Sequence, residues 1–263
     1  MPFIILHGLY GSSDNWLTIA RHLSEKYEVI IPDMRNHGRS PHHPVHTYGE
    51  MSADVLELMD RLNIGQCILL GHSMGGKTAI HLAAREAERI SRLIIDDISP
   101  VNYSSLTEHS PLALEHLNIM DNLLHTIPEQ YSRREEIEQL WAKKIPDPAM
   151  RLFMLKNLQR NNNGTFEWRI NIKSIARNLP QILNGMDDFS QEKYPEINIP
   201  TLFIKGELSS YIQPDMFPQI QRIFPHSEIV ILPDAGHWLH VEQSGLFLAA
   251  IMQFLSDINE SFI

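Results

Sequence analysis

The sequence lacks the features that mark disulfide-bonded, membrane or nucleic-acid-binding proteins. It has a single cysteine, Cys67, so no disulfide can form within the chain. No apolar stretch approaches the ~20 residues of a transmembrane helix, and the first residues do not have the character of a signal peptide. A formal net charge of −10 without any basic run argues against nucleic acid or a membrane as partner. We therefore expect a cytoplasmic protein.

Short apolar runs alternate with amphipathic stretches over most of the 263 residues. Runs that are apolar throughout are typical of parallel strands buried on both faces. Their alternation with helices predicts an α/β protein with a doubly wound, mainly parallel sheet. The predicted strands are Phe3–Leu6, Val29–Ile31, Ile68–Leu70, Leu93–Ile95, Thr201–Ile204 and Ile229–Leu232, and the predicted helices are Asn15–Ser24, Thr47–Leu62, Met74–Glu86, Asp215–Phe224 and Leu246–Ile258.

The alternation stops between Pro100 and about Pro200, where helical patterns continue without apolar runs of the same kind. We interpret residues 101–194 as a helical cap inserted over the strand ends, and residues 1–100 and 195–263 as the core. Within the cap, residues 160–171 predict a turn with a short hairpin arm. The predicted cap helices are Ser110–Asn122, Arg133–Lys143 and Ala149–Gln159.

Residues 69–79, LLGHSMGGKTA, place the pattern Gly-x-Ser-x-Gly between an apolar strand and a helical pattern. This context predicts a nucleophile elbow, a tight turn that presents the hydroxyl of Ser73 at the strand end. The helix that follows directs its N-terminal dipole at the site and favours a developing oxyanion. We expect the backbone N–H groups of Leu9, after His7-Gly8, and Met74 to form the oxyanion hole.

A histidine follows the last predicted strand in ILPDAGHWLHVEQ, residues 231–243. His237 lies beyond the carboxyl end of that strand, where open α/β sheets place their sites. As a neutral imidazole it would take the proton of Ser73 and later donate it to the leaving group. We interpret His240, one helical turn later, as structural.

The motifs HGLYGS, PDMRNHGRS, GHSMGGK and AGHWLH together resemble those of α/β-hydrolase-fold serine hydrolases. They are most similar to a bacterial esterase subgroup that includes the YbfF-type esterases. The resemblance implies hydrolysis of an ester or thioester under a helical cap, without a metal or an organic cofactor. The fold usually opens with an antiparallel strand pair, whereas this chain begins at the strand leading into His-Gly. An exposed sheet edge would follow, and such an edge favours pairing in a homodimer.

A histidine base needs a carboxylate partner, but no aspartate occupies the usual position for that partner, which is the turn after the fifth predicted strand. After the strand Thr201–Ile204 the chain reads Gly-Glu-Leu-Ser-Ser. Asp96 and Asp97 end an earlier strand, and period-two alternation sends their side chains to opposite sides. The esterase subgroup uses an aspartate in an Asp-Ile-(Ala/Ser)-Pro segment, which the resemblance matches to Asp97. We predict the triad Ser73, Asp97 and His237, with Glu207 as the alternative acid and Ser209 or Ser210 as a hydrogen-bond donor to Asp97.

These residues predict a carboxylesterase for short- to medium-chain acyl esters or thioesters, acting through an acyl-enzyme. The same triad can run lyase or perhydrolase chemistry, and the missing aspartate leaves a catalytically silent binding module as an alternative. Tyr10, Trp168 and Trp238 are candidate pocket residues.

The loop at residues 32–46 is rich in polar groups, for which we expect structural hydrogen bonding. No cysteine or carboxylate pattern completes a metal site among its histidines. The residues concerned are Asp33, Arg35 and His37, which match the family loop, and His42, His43 and His46.

Overall fold

The computed structural model describes residues 1–100, 111–184 and 196–256. Its central sheet has six strands in the order β2-β1-β3-β4-β7-β8, and every neighbouring pair is parallel. This confirms the predicted doubly wound sheet. The strands are β1 (Pro2–Leu6), β2 (Glu28–Ile30), β3 (Cys67–His72), β4 (Ile90–Asp96), β7 (Thr201–Gly206) and β8 (Ser227–Leu232).

Helices cover both faces of this sheet, because each strand buries side chains on both sides. Successive residues of β1 alternate between two apolar clusters, with Ile4 and Leu6 in one and Phe3 and Ile5 in the other. The helices of the core are α1 (Leu17–Leu23), α2 (Tyr48–Arg61), α3 (Met74–Arg85), α8 (Phe217–Ile223), α9 (Leu239–Glu242) and α10 (Ser244–Ser256). Among the described residues, no helix has the length and apolar character needed to cross a membrane.

Between β4 and β7 the chain forms helices and a small antiparallel hairpin, as the sequence pattern predicted. Their bounds are α4 (Pro111–His125), α5 (Arg134–Trp141), α6 (Pro148–Leu155), β5 (Leu158–Arg160), β6 (Phe166–Trp168) and α7 (Ile172–Asn184). The helix predicted to reach Gln159 ends at Leu155, because the residues that follow pair with β6. The segment 101–110 and the end of the predicted last helix lie outside the described residues, and the domain boundaries stay predictions.

The strand β1 (Pro2–Leu6) lies between β2 and β3, and β2 forms the edge of the described sheet on that side. The short β2 strand is part-buried at its last two residues.

The turn from β3 into α3 brings backbone against backbone, and this requires glycine. A Cβ atom on Gly75 would lie 2.3 Å from the carbonyl oxygen of Leu6, and one on Gly71 would lie 2.3 Å from that of Gly75. Real side chains do not approach a backbone atom so closely. The two glycines therefore allow α3 to start directly over the ends of β1 and β3.

We expect Gly75→Ala to lower the free energy of unfolding by at least about 2 kcal/mol, because the backbone of β1 cannot retreat from the added methyl group. Gly65→Ala is the matched control, since a Cβ there meets nothing within 4 Å. Urea denaturation of both variants measures the difference. Equal stability of the two variants would contradict this account of the turn.

Candidate active site

Ser73 occupies the turn between β3 and α3 in a strained backbone conformation, with φ 52° and ψ −115°. Left-handed φ values are uncommon for residues with a side chain and collect at functional sites. The backbone N–H of Ser73 donates to the carbonyl of Asp96 at 3.0 Å, which ties the turn to β4. The geometry is that of the predicted nucleophile elbow.

The expected oxyanion-hole residues follow two paired strands and lie at equal distance from one pair of the ladder. Leu6 of β1 pairs with Gly71 of β3, and Leu9 and Met74 each lie three residues further along. Met74 is the first residue of α3, so its N–H has no acceptor within the helix. A Cβ on Gly8 would come within 3.2 Å of the Cβ of Ser73, so this loop runs close to the nucleophile. The oxyanion hole itself stays a prediction.

His237 lies in the loop after β8 and pairs with Asp97. The Nδ1 atom of the histidine is 2.8 Å from Oδ2 of the aspartate, which is fully buried. With Nδ1 engaged by the carboxylate, Nε2 is the ring nitrogen left to exchange a proton with a nucleophile. The ring of Tyr211 stacks on the imidazole at a centroid distance of 3.8 Å, which fixes its plane.

The aspartate reaches this histidine across the end of the intervening strand β7. Asp97 has φ 50°, and its backbone N–H donates to Ile204 of β7 at 2.8 Å. Its Oδ1 accepts from the backbone N–H of Gly206 at 3.1 Å. A Cβ on Gly206 would lie 2.2 Å from the carbonyl oxygen of Gly236, so the glycine lets the loop that carries His237 approach the end of β7.

The position that lacks an aspartate carries a donor to Asp97. The hydroxyl of Ser209 donates to Oδ2, the same oxygen that contacts His237. Ser210 is exposed, and Glu207 is exposed with its carboxylate on the N–H of Asp234 at 3.1 Å. The described geometry thus favours Asp97 over Glu207 as the acid. Of the two serines, it favours Ser209 as the hydrogen-bond donor to Asp97.

Asp96 points to the opposite side of the sheet, as period-two alternation predicted. It contacts Nδ1 of His240 at 3.0 Å, and the imidazole stacks on Trp16 at 4.1 Å. Burial and the neighbouring Asp97 raise the pKa of Asp96 well above its usual range, and burial lowers the pKa of His240 to about 3. Burial therefore favours the uncharged form of both groups.

The donor atoms of His72, Asp96 and His240 lie within 4.8 Å of one another. His72 Nε2 is already engaged by the carbonyl of His237 at 2.9 Å, and His240 by Asp96. These contacts occupy one nitrogen of each histidine, whereas Oδ1 of Asp96 has no hydrogen-bond partner among the described residues. His42, His43 and His46 form no such cluster in the part of the chain that the structure describes.

A cavity of about 270 Å³ is lined by Ser73 and His237. Its size lies just below the ~300–1,000 Å³ of common ligand pockets. The described residues that line it come from the loops after β1, β3, β7 and β8 and from α4, α6 and α9, and include Leu9, Tyr10, Ser73, Glu115, His116, Asp147, Phe153, Tyr211, His237, Trp238 and Glu242. A larger cleft of about 400 Å³ beside α2 contains neither Ser73 nor His237.

Two of the three aromatic residues expected at the pocket line this cavity. Tyr10 is buried in the cavity wall. Trp238 also lines the cavity, and its ring centroid lies 5.1 Å from that of Phe153. The expectation for Trp168 is wrong: its ring stacks on Trp141 of the cap at 6.2 Å, and it is not among the lining residues. Trp168 belongs to β6 of the hairpin, where it pairs with Leu158 of β5, and its ring faces Trp141 of the cap.

Tyr211 and His116 were missed by the sequence reasoning. Tyr211 lies in the segment after Ser209, but nothing in that segment signals contact with a residue 26 positions later. His116 belongs to an ordinary amphipathic pattern in α4. The signal that joins them is purely spatial, a contact of 3.0 Å between His116 Nε2 and the Tyr211 hydroxyl.

The polar loop 32–46 braces the site as expected. Asp33 accepts from the backbone N–H groups of Ser13 and Arg39, and Arg35 forms an ion pair with Asp54. His37 accepts from the backbone N–H of Tyr10 at 3.3 Å. The loop therefore holds the segment after β1 in place.

The fold and site together define a class of protein. The sequence profile of the alpha/beta hydrolase fold family matches residues 1–244. The chain belongs to the α/β-hydrolase fold family.

Curated relatives and a solved structure place it more closely. It is 39% identical over 262 residues to a zebrafish (Danio rerio) protein named sn-1-specific diacylglycerol lipase ABHD11, covering 97% of this chain and 78% of the relative. It is 31% identical to esterase YbfF of Escherichia coli, covering 97% and 92% of the two chains. A solved marine microorganism esterase matches with a TM-score of 0.90 and 39% identity over 96% of this chain and 94% of that one.

We expect Asp97→Asn to lower kcat for a p-nitrophenyl ester by about 10³- to 10⁴-fold, because the amide no longer holds and stabilises the imidazolium of His237. Glu207→Gln is the matched control and should stay within about twofold. Steady-state kinetics of the purified variants measure both. A large loss in the control together with an active Asp97→Asn variant would transfer the acid role to Glu207.

We expect Ser209→Ala to lower kcat/KM by about tenfold, because a hydrogen bond to a buried charged group contributes about 1.5–3 kcal/mol. Ser210→Ala offers a neighbouring control, since that side chain is exposed. A melting experiment on each variant separates loss of activity from loss of fold. Unchanged kinetics in Ser209→Ala would remove the serine from the catalytic machinery.

Proposed function

We propose that the chain is a serine carboxylesterase that hydrolyses short- to medium-chain acyl esters or thioesters. Its relatives are named esterases and lipases, and the chain is accordingly an ester-hydrolysing enzyme. The observation that carries the finer proposal is the buried Asp97–His237 pair at 2.8 Å beside the strained Ser73 in one cavity.

The proposed reaction has two steps. His237 takes the proton of Ser73 as the serine oxygen attacks the ester carbonyl, and Asp97 stabilises the imidazolium that forms. The N–H groups of Leu9 and Met74 bind the oxyanion of the tetrahedral intermediate. His237 then protonates the leaving alcohol or thiol, and a water molecule activated by the same histidine hydrolyses the acyl-enzyme.

The small cavity supports the proposed acyl length. Its apolar wall includes Met150, Phe153 and Met154 of α6, against which a short acyl chain can pack. A diacylglycerol with short acyl chains is therefore a reasonable substrate within the proposed class.

A catalytically silent binding module was the alternative favoured by the missing aspartate after β7. The missing aspartate is a weaker argument for that alternative because Asp97 contacts His237, and the hydroxyl of Ser209 donates to Asp97. Lyase or perhydrolase chemistry on the same triad stays open to the assay below. The cytoplasmic location and the homodimer stay predictions from the sequence.

We expect a fluorophosphonate probe to label the wild-type protein and to leave Ser73→Ala unlabelled, because the probe reacts with an activated serine. The same variant should lose at least about 10⁴-fold in kcat on p-nitrophenyl butanoate. Wild-type protein that is folded yet neither labelled nor active on esters would favour the binding module.

A further inference from the structure

Two polar atoms in the wall of the catalytic cavity have no hydrogen-bond partner among the described residues. They are the hydroxyl of Tyr10 and Nδ1 of His116, and both are buried. Buried polar atoms of proteins are nearly always paired, so an orphan in a ligand cavity points to a group that arrives with the ligand. Both residues line the cavity that contains Ser73 and His237.

The orphan on Tyr10 is held in place. This residue has φ 64°, a backbone conformation that side-chain-bearing residues seldom adopt. Its backbone N–H donates to His37, and its carbonyl accepts from Asn157 of the cap at 2.8 Å. Core and cap are both bonded to its backbone, which fixes the point from which the phenol extends into the cavity wall.

His116 lies next to this phenol and next to the catalytic histidine. Its ring centroid is 5.9 Å from that of Tyr10, and its Nε2 contacts the hydroxyl of Tyr211, whose ring stacks on His237. The rings that carry the two orphans are therefore neighbours in the cavity wall, and the ring of Tyr211 connects His116 to the catalytic base. A group bound there would be part of the same substrate molecule.

The charged residues that line the cavity favour the binding of an uncharged substrate group beside Tyr10 and His116. Glu115, Asp147 and Glu242 line the cavity, and no lysine or arginine is among its described lining residues. Burial lowers the pKa of His116 to about 4, so the imidazole is neutral under ordinary assay conditions. A phosphate or carboxylate would meet carboxylates here without a compensating cation.

A hydroxyl group fits both orphans whichever tautomer His116 adopts. The phenol of Tyr10 can donate or accept, whereas Nδ1 donates in one tautomer and accepts in the other. A carbonyl can only accept, but an alcohol hydroxyl does both. A purely apolar substrate would leave both atoms unpaired.

We propose that Tyr10 and His116 form a subsite for a free hydroxyl group on the substrate, so that the enzyme selects uncharged, hydroxyl-bearing esters. This inference rests on the proposed esterase function and names its substrate class. It also assigns a reason for the orphaned atoms, which the hydrolytic mechanism does not use.

Two matched ester pairs test the subsite and locate the hydroxyl. The pair 2,3-dihydroxypropyl butanoate and propyl butanoate differs on the alcohol side, and ethyl 3-hydroxybutanoate and ethyl butanoate differ on the acyl side. We expect the wild-type kcat/KM to favour the hydroxylated member of at least one pair by about tenfold or more, because the plain ester leaves buried polar atoms unpaired.

Tyr10→Phe removes only the phenolic oxygen and should bring that ratio close to one. His116→Leu is a second, independent variant with the same expected effect. Tyr27→Phe is the control, because it removes a hydroxyl far from the cavity in sequence and fold, on the residue before β2, and should preserve the ratio.

The outcomes separate the subsite from the esterase function. Hydrolysis of all four esters without preference, or a preference that survives in both folded variants, overturns the subsite and leaves the esterase standing. No hydrolysis of any ester together with no fluorophosphonate labelling would refute the esterase proposal itself. A preference lost in Tyr10→Phe and kept in Tyr27→Phe supports the subsite.

Discussion

The contact between Asp97 and His237 is the interaction on which the rest of the site depends. It joins the end of β4 to the loop after β8, and β7 lies between those strands in the sheet. At the end of β7, the backbone N–H of Gly206 donates to the carboxylate, and the missing side chain of this glycine lets Ala235 and Gly236, in the loop that carries His237, lie against the strand end. Ser209 then fills the space where an aspartate side chain would otherwise stand, and donates to the displaced acid.

Backbone strain accompanies two of the three proposed catalytic residues. Ser73 and Asp97 both have positive φ, and each is held by a backbone hydrogen bond to a neighbouring strand. The N–H of Ser73 bonds to β4, and the N–H of Asp97 bonds to β7. A residue in such a conformation persists only when its surroundings hold it there, and here the parallel sheet supplies that constraint.

The cavity is a joint product of core and cap. Core loops contribute the elbow and His237, whereas α4 and α6 contribute His116 and the apolar wall. One link between the two is made at Tyr10, whose carbonyl accepts a hydrogen bond from Asn157 of the cap. The shape of the pocket and the position of the Tyr10 phenol therefore depend on how the cap sits on the core loops.

Local sequence patterns determined much of this protein. Continuous apolar runs predicted the sheet, because parallel strands are buried on both faces, and the Gly-x-Ser-x-Gly turn and the position of His237 followed from motifs that act within a few residues. The choice between Asp97 and Glu207, which residues alone left open, follows from the strand order, because that order joins residues 140 positions apart. The tertiary structure alone stacked Trp168 on Trp141 and brought His116 to the cavity, since a side chain's neighbours across an insertion are set by packing and leave no periodic trace in the sequence.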